Sequence, residues 1–287
     1  MMKLLSSVLF LFSWLLFVAC NKEIPNDNNT SLLFDSIPAV KPVVPIINEA
    51  SGIADSKANA GFLWVEEDSG NPTELYLLGN DGKVLKKVFI KGVVNRGWED
   101  MAISGNDIYI GNIGDNNQVH TDYSIYYFAE PLSSADTVTN ITTIGFQYPD
   151  GSHDADAFLI DPATKDIFII TKRDNPSRIY KLSFPYDIIS LNTVNLSGSL
   201  AYSDVTSAAI TQDGKEILIK TYTAINYYTR KPGETIEQTL QQPYTQLPYT
   251  PEPQGEAITF ANNNSGFFTL SETGFSTIQN LYFYPRK

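Results

Sequence analysis

From about residue 49 onward the hydrophobic residues fall in short runs rich in Val, Ile, Tyr, Phe and Thr, separated by clusters of Gly, Asn, Asp and Pro. Sustained helical spacing is hard to find, so the pattern predicts an all-β chain. Several runs are apolar at consecutive positions instead of alternating. Strands covered on both faces read that way.

The runs repeat. EASGI at 49 to 53, EDMAI at 99 to 103, DAFLI at 156 to 160, TSAAI at 206 to 210 and EAITF at 256 to 260 each carry a polar residue first and an apolar one four positions on. Their first residues, Glu49, Glu99, Asp156, Thr206 and Glu256, are spaced by 50, 57, 50 and 50 positions. A second apolar run follows in every unit (FLWV, IYIG, IFII, EILI, GFFTL), then a third (ELYLL, SIYYF, RIYKL, INYYT, NLYFY). A weaker fourth closes most units, as in KKVFI, TIGFQY and SGSLAY. Four strands per repeat is the blade of a β-propeller.

Five units predict a single propeller of five four-stranded blades over residues 34–287. The last unit stops after its third strand, so a strand from DSIPAVKPVV, 35 to 44, is expected to complete it and close the ring. Its prolines suit an edge position. A sixth blade in residues 231 to 254 is the alternative, although that segment offers one plausible strand.

The N-terminus reads differently. Lys3, an apolar run from Leu4 to Phe17 and small residues before Cys20 make residues 1–19 a signal peptide, too short for a comfortable membrane span. The tetrad Phe17-Val18-Ala19-Cys20 resembles a bacterial lipobox, which implies cleavage before Cys20 and a thiol that carries diacylglycerol, with palmitate among the lipid chains. Residues 20–33 then form a polar, Asn-rich tether. The expected location is the bacterial cell envelope, lipid-anchored at the outer membrane. Cys20 is the single Cys of the chain, so no intramolecular disulfide can form.

The formal net charge of -12 argues against nucleic acid as a partner, because phosphate contacts need clustered Lys and Arg. The acids also point to a site. In a propeller the first strand of each blade lines the central channel, so Glu49, Glu99, Asp156 and Glu256, with Thr206 in the fourth place, are expected to form a ring. Two carboxylates about 8 Å apart at an effective dielectric near 20 repel by roughly 2 kcal/mol. A bound cation, raised pKa values or nearby bases must answer that charge.

Lys172, Arg173 and Lys220, at the ends of second strands, are the candidate bases. Asp68, Asp100, Asp115, Asp154 and Asn116 add oxygen ligands of the kind calcium prefers. Structural pairing, a calcium ion and a catalytic metal remain open from the residues alone. The candidate ligand-binding set is Glu49, Glu99, Asp100, Asp156, Lys172, Lys220 and Glu256, with Glu99, Asp156, Glu256 and Asp115 as metal ligands. The Gly-Asn-Asp loops DSGN, GDNN and RDNP follow second strands and read first as turns. No Gly-x-Ser-x-Gly elbow supports nucleophilic catalysis. His153 reads as a surface residue of the linker YPDGSHDAD, with a general base at the mouth as the sharper alternative. Trp64 and Trp98 are expected in the core, and Tyr222 could stack on a planar ligand.

The series SGIADSKANAGFLWVEEDSG, LYLLGNDGKV, WEDMA, IYIGNIGDNN, IYYFAEP, DADAFLIDP and ITKR resembles a family of bacterial secreted or lipoprotein propellers with WEDxA and GDIGDN-like motifs. That group is broadly similar to the SdiA-regulated and phytase-like (esterase-like) propeller proteins. The resemblance spans about residues 47 to 272 and implies a propeller with bound calcium as an option. Departures lie at Asn112, at Glu66-Glu67 and around Gln118-Val119-His120, where the family often has Asp, His-Asn and a basic residue. The reading is therefore a monomeric, lipid-anchored binding module for a small molecule, glycan or protein at an acidic channel mouth. A calcium-assisted phosphoesterase or esterase is the alternative.

Overall fold

The computed structural model describes residues 33–287, so the signal peptide, Cys20 and nearly all of the tether lie outside the described residues. Strand β1 (Ala39–Pro42) precedes the first blade, which is β2 (Ala50–Asp55), β3 (Phe62–Glu67), β4 (Glu74–Gly79) and β5 (Val84–Ile90). The second blade is β6 (Trp98–Ser104), β7 (Asp107–Asn112), β8 (Tyr123–Ala129) and, after the short β9 (Thr137–Val138), β10 (Thr142–Gln147). The third is β11 (Ala155–Ile160), β12 (Ile167–Thr171), β13 (Arg178–Leu182) and, after the short β14 (Asn192–Thr193), β15 (Asn195–Ser199).

The fourth blade is β16 (Val205–Ile210), β17 (Glu216–Thr221), β18 (Ile225–Thr229) and β19 (Thr245–Leu247). The fifth is β20 (Gly255–Phe260), β21 (Gly266–Ser271) and β22 (Asn280–Pro285), completed by β1 from the other end of the chain. The chain is a five-bladed propeller. Between 231 and 254 only the capped helix α1 (Ile236–Leu240) and β19 occur, which leaves no room for a sixth blade.

Burial explains the runs. The inner strands β2, β11 and β16 are buried along nearly their whole length, because neighbouring blades cover both faces. The outer β5 alternates, as an edge facing water should. Five apolar clusters form the core, one between each adjacent pair of blades. Trp64 and Trp98 lie together in the cluster between the first two blades, which is the packing role expected for both.

Closure rests on pairing and on one aromatic. β1 pairs antiparallel with β22 in the register Ala39 to Phe283 through Pro42 to Asn280. Just before it, Phe34 is buried against Tyr227 and Phe267, with ring centroids 6.1 and 5.0 Å away. Phe34 thus ties the start of the domain to the fourth and fifth blades. Phe34→Ala should cost about 3–5 kcal/mol, the range for a buried aromatic truncated in a core. Urea unfolding followed by tryptophan fluorescence checks this; a cost below about 1 kcal/mol would mean that closure does not depend on Phe34.

Candidate functional site

Every inner strand carries a bulge at the same level. Pairing jumps from Trp98 to Asp100 in β6, from Ala155 to Ala157 in β11, from Val205 to Ser207 in β16 and from Gly255 to Ala257 in β20, leaving Glu99, Asp156, Thr206 and Glu256 unpaired. In β2 the jump runs from Ala50 to Ile53, so Ser51 takes this place. Glu49 does not join the ring: it is exposed, before the strand, and accepts from Asn71 Nδ2 at 2.5 Å. A bulge turns the extra side chain toward the axis, and all five positions are polar residues with buried side chains at the channel mouth.

A second ring lies beside the first. The residues that leave the second strands are Asp68, Ile113, Lys172, Tyr222 and Glu272. Lys172 ion-pairs with Asp156 and lies 3.6 Å from Glu256 Oε1, with its ammonium 5.1 Å from the Tyr222 ring centroid. The Tyr222 hydroxyl donates to Glu256 Oε1 at 2.7 Å. Asp68 and Glu99 are within hydrogen-bonding reach of one another, as are Glu256 and Glu272.

The charge is not answered evenly. Burial pushes the Asp156 carboxyl up to about 8 against the pull of Lys172. It raises Glu272 to about 9, helped by Glu256. Burial, with Asp156 and Asp68 nearby, holds Glu99 well above the usual carboxylate range, and Asp68 is raised by burial too. Burial opposes the charge of Lys172, but Asp156 and Glu256 outweigh it and raise its pKa.

Glu66, one step inside β3, is 0% exposed, and neither carboxyl oxygen has a hydrogen-bond partner among the described residues beyond the weak pull of the Gly52 backbone. Burial first, then Asp68, Asp100 and Glu256, push it far up. Among the described residues no base forms an ion pair with Glu66, Asp68, Glu99 or Glu272.

Asp100 lies below the mouth. Its level of the channel is otherwise Gly52, Ala157, Ser207 and Ala257, all small. Asp100 Oδ1 accepts from Met101 N at 3.0 Å and Ser207 Oγ at 2.9 Å, while Oδ2 accepts from Phe158 N and Ala208 N, each at 3.2 Å. Ile258 N donates in turn to Ser207 Oγ at 3.3 Å. A Cβ on Gly52 would meet Met101 N at 2.7 Å and Asp100 C at 2.9 Å, so the first blade presses directly on this point. Burial drives the Asp100 carboxyl up and its donors pull it down. Beyond Asp100 the channel keeps only about 50 Å³ of space. The mouth is a blind cup.

Other expected residues fall elsewhere. Asp115 is taken by its own loop: burial works against its charge, but Val119 N, His120 N and the Tyr123 hydroxyl hold its carboxyl below the usual range. Lys220 is fully buried beside the mouth, bonded to Gly255 O at 2.7 Å and Tyr249 Oη at 2.9 Å, with Glu252 at 3.7 Å; burial lowers it to about 8. Arg173 pairs with Asp154 at 2.7 Å, and Asp154 accepts from Asp115 N at 2.6 Å.

His153 is buried, not on the surface, its Nδ1 2.8 Å from Asp174 and its Nε2 2.9 Å from the Tyr180 hydroxyl. Glu66 and Glu272 are the site residues that the sequence pattern did not single out. Acids closing an apolar second-strand run, as in FLWVEE and GFFTLSE, are the signal that marks them.

The GDNN loop is a wall. Ser69, Arg96, Gly97, Glu99, Asn116 and His120 line a pocket of about 200 Å³ beside the cup. A Cβ on Gly114 would lie 1.8 Å from Glu99 Oε1, so a side chain there would have to push the Glu99 carboxylate aside. The larger concavity, about 690 Å³, lies at the opposite face between the first and fifth blades and is lined mostly by amides, small residues and Phe268 and Phe283. It has no gathering of buried acids of the kind found at the mouth.

Calcium fits this arrangement poorly. Glu99, Asp156, Glu256 and Asp115 do not share a centre, since Asp115 serves its loop and Asp156 holds Lys172. Among the described residues, no three His, Cys, Asp or Glu side chains are grouped so as to hold a metal ion.

These features define a five-bladed propeller with a closed channel and an acidic cup. No protein family and no curated protein matches the chain. Among solved structures it is similar to a luciferin-regenerating enzyme, at 12% identity over 86% of this chain and 95% of that one, with a TM-score of 0.51. It also aligns with the Kuenenia stuttgartiensis hydrazine synthase (10% identity, 83% of each chain, TM-score 0.43) and the nidogen/laminin complex (8% identity, 78% of this chain and 72% of that one, TM-score 0.47). At such identity the first likeness establishes the fold alone.

Two outcomes follow from the site. Asp100→Asn puts an amide NH₂ against a donor and should cost about 3 kcal/mol in urea unfolding, since at least one buried donor loses its acceptor. Glu272, raised in the folded state, binds more protons folded than unfolded between about its ordinary value and about 9. Stability therefore falls as pH rises through that window. Glu272→Gln should flatten the slope of Tm against pH from 5 to 9, and an unchanged slope would clear Glu272 of that role.

Proposed function

We propose that the protein is a binding module of the bacterial cell envelope that takes a cationic ligand in the acidic cup. The observation that carries the reading is the uneven charge: Glu66, Asp68, Glu99 and Glu272 lack any ion-paired base, while Lys172 serves Asp156 and Glu256. Buried acids without counter-charge cost stability, and a cation that satisfies them returns it. Calcium is one candidate occupant, although the expected ligands do not converge; an organic cation is the other. The lipid anchor at Cys20 would hold the cup near the outer membrane, as a monomer tethered by residues 20–33.

One observation favours a hydrolase as a second reading. Asp156 and Glu272 are raised to about 8 and 9, so carboxyls at the mouth would hold and release protons near neutral pH, as general acid and base catalysis requires. Hydrolysis of a generic phosphate or carboxylic ester, lost in Glu99→Gln, would support it.

Binding should raise the melting temperature of the full chain in detergent on adding calcium or a simple amine, and more at pH 8.5 than at pH 6, because protons compete for the raised carboxyls. No shift with either cation at either pH removes the reading. For the anchor, labelled palmitate should enter the wild type and not Cys20→Ser. Equal labelling of both would remove Cys20 as the acylated residue.

A further inference from the structure

We infer that the ligand of the cup is a small molecule bearing a primary ammonium, received by Glu99 and Asp68 above Glu66. This rests on the cation-binding reading and narrows it from any cation to one that donates several directed hydrogen bonds.

Three observations point there. The first is Lys172, whose ammonium is held by Asp156, approached by Glu256 and faced by the Tyr222 ring. The third, fourth and fifth blades thus already form a complete ammonium seat, filled by the chain itself, and its parts are those that bind ammonium ions generally. The second is that the neighbouring first and second blades repeat the carboxylates with no lysine in ion-pair contact among the described residues, Lys172 reaching Glu99 only through space. Asp68 and Glu99 are adjacent, and where the third blade has Lys172 the second has Ile113.

The third is Glu66. It is wholly buried, its charged neighbours are Asp68, Asp100 and Glu256, and apart from the Gly52 amide nearby neither of its oxygens has a hydrogen-bond partner among the described residues. A side chain left in that state in a closed interior calls for an explanation, and a positive group arriving above it supplies one.

Geometry separates the ammonium from a metal. A calcium ion draws six to eight oxygens to 2.3–2.6 Å, and the acids here are not so grouped. An ammonium reaches three acceptors at about 2.8 Å each, which suits carboxylates set further apart. Size follows from the adjoining pocket. At about 200 Å³, with Glu99 in its lining and Arg96, Asn116 and His120 around it, it admits a chain of a few carbons behind the ammonium.

The test uses the full chain in detergent and isothermal titration with four probes: butylamine, 1,4-diaminobutane, tetramethylammonium and calcium chloride. The two primary amines should bind, and tetramethylammonium, which has the charge but no N–H, at least tenfold more weakly. Glu99→Gln should weaken amine binding at least tenfold.

Glu66→Met removes the charge and both unpartnered oxygens at similar volume, so it should raise Tm while amine affinity falls at least tenfold; a purely structural Glu66 would lower Tm and leave affinity unchanged. Calcium binding without amine binding overturns this inference and leaves the cation-binding reading standing. No binding by any probe removes both. Amine binding unaffected in Glu99→Gln and Glu66→Met places the amine elsewhere and overturns the inference.

Discussion

The carboxylate of Asp100 is the point on which the channel depends. Four donors converge on it, from its own strand and from the inner strands of the third and fourth blades, and Ser207 relays the connection to the fifth. The first blade meets it through Gly52, where no side chain would fit. In a ring of blades held mainly by non-directional apolar contact, one polar hub fixes rotation and height where slippage would otherwise be cheap. Burial works against the Asp100 charge and the four donors work for it, so removing a partner would leave a buried polar group unsatisfied at a cost of roughly 1–3 kcal/mol. The hub also seals the channel, and everything above it becomes the floor and wall of a cup.

That seal sets the electrostatics of the mouth. An open, water-filled channel would screen Glu99, Asp156 and Glu256, whereas a closed floor leaves them buried and in reach of one another. The bulges place the acids there, and the next residues of the second strands either compound or relieve the charge. Lys172 relieves it between the third and fifth blades; Asp68 and Glu272 compound it between the fifth, first and second. Equivalent positions in the first and fourth blades carry Glu66 and Lys220, both wholly buried. Lys220 is bonded on every side, Glu66 is not. A fold selected only for stability would treat the two alike.

The architecture was legible because a blade imposes a repeat on the sequence. The four apolar runs, the missing last strand and its replacement from the N-terminus all follow from the need to cover both faces and close the edge. The ring was legible where the acid itself sits on the bulge, as with Glu99, Asp156 and Glu256. It failed at Glu49, because EASGI shares its first and last residues with EDMAI while the bulge falls two residues later, on Ser51. A bulge is a feature of hydrogen bonding, and composition does not reveal its register. Glu66 was hidden for a related reason: an acid at the end of an apolar run looks like the start of a turn, and only pairing with the inner strand puts it inside. His153 sits in a polar linker by sequence, yet Tyr148 and Tyr180 enclose it.

The asymmetry of the cup finally bears on the Gly-Asn-Asp loop after the second blade's second strand. Turn chemistry explains why such residues are there, but not why Gly114 lies so close against the Glu99 carboxylate that a side chain would displace it. A turn needs glycine for its own backbone angles; here the constraint comes from across the gap. The loop lies against Glu99, which no base ion-pairs among the described residues, and Asp115 anchors it by accepting two amides and a tyrosine hydroxyl. A rigid wall against an unanswered carboxylate is costly if nothing binds there. It is the arrangement expected when the positive partner comes from solution.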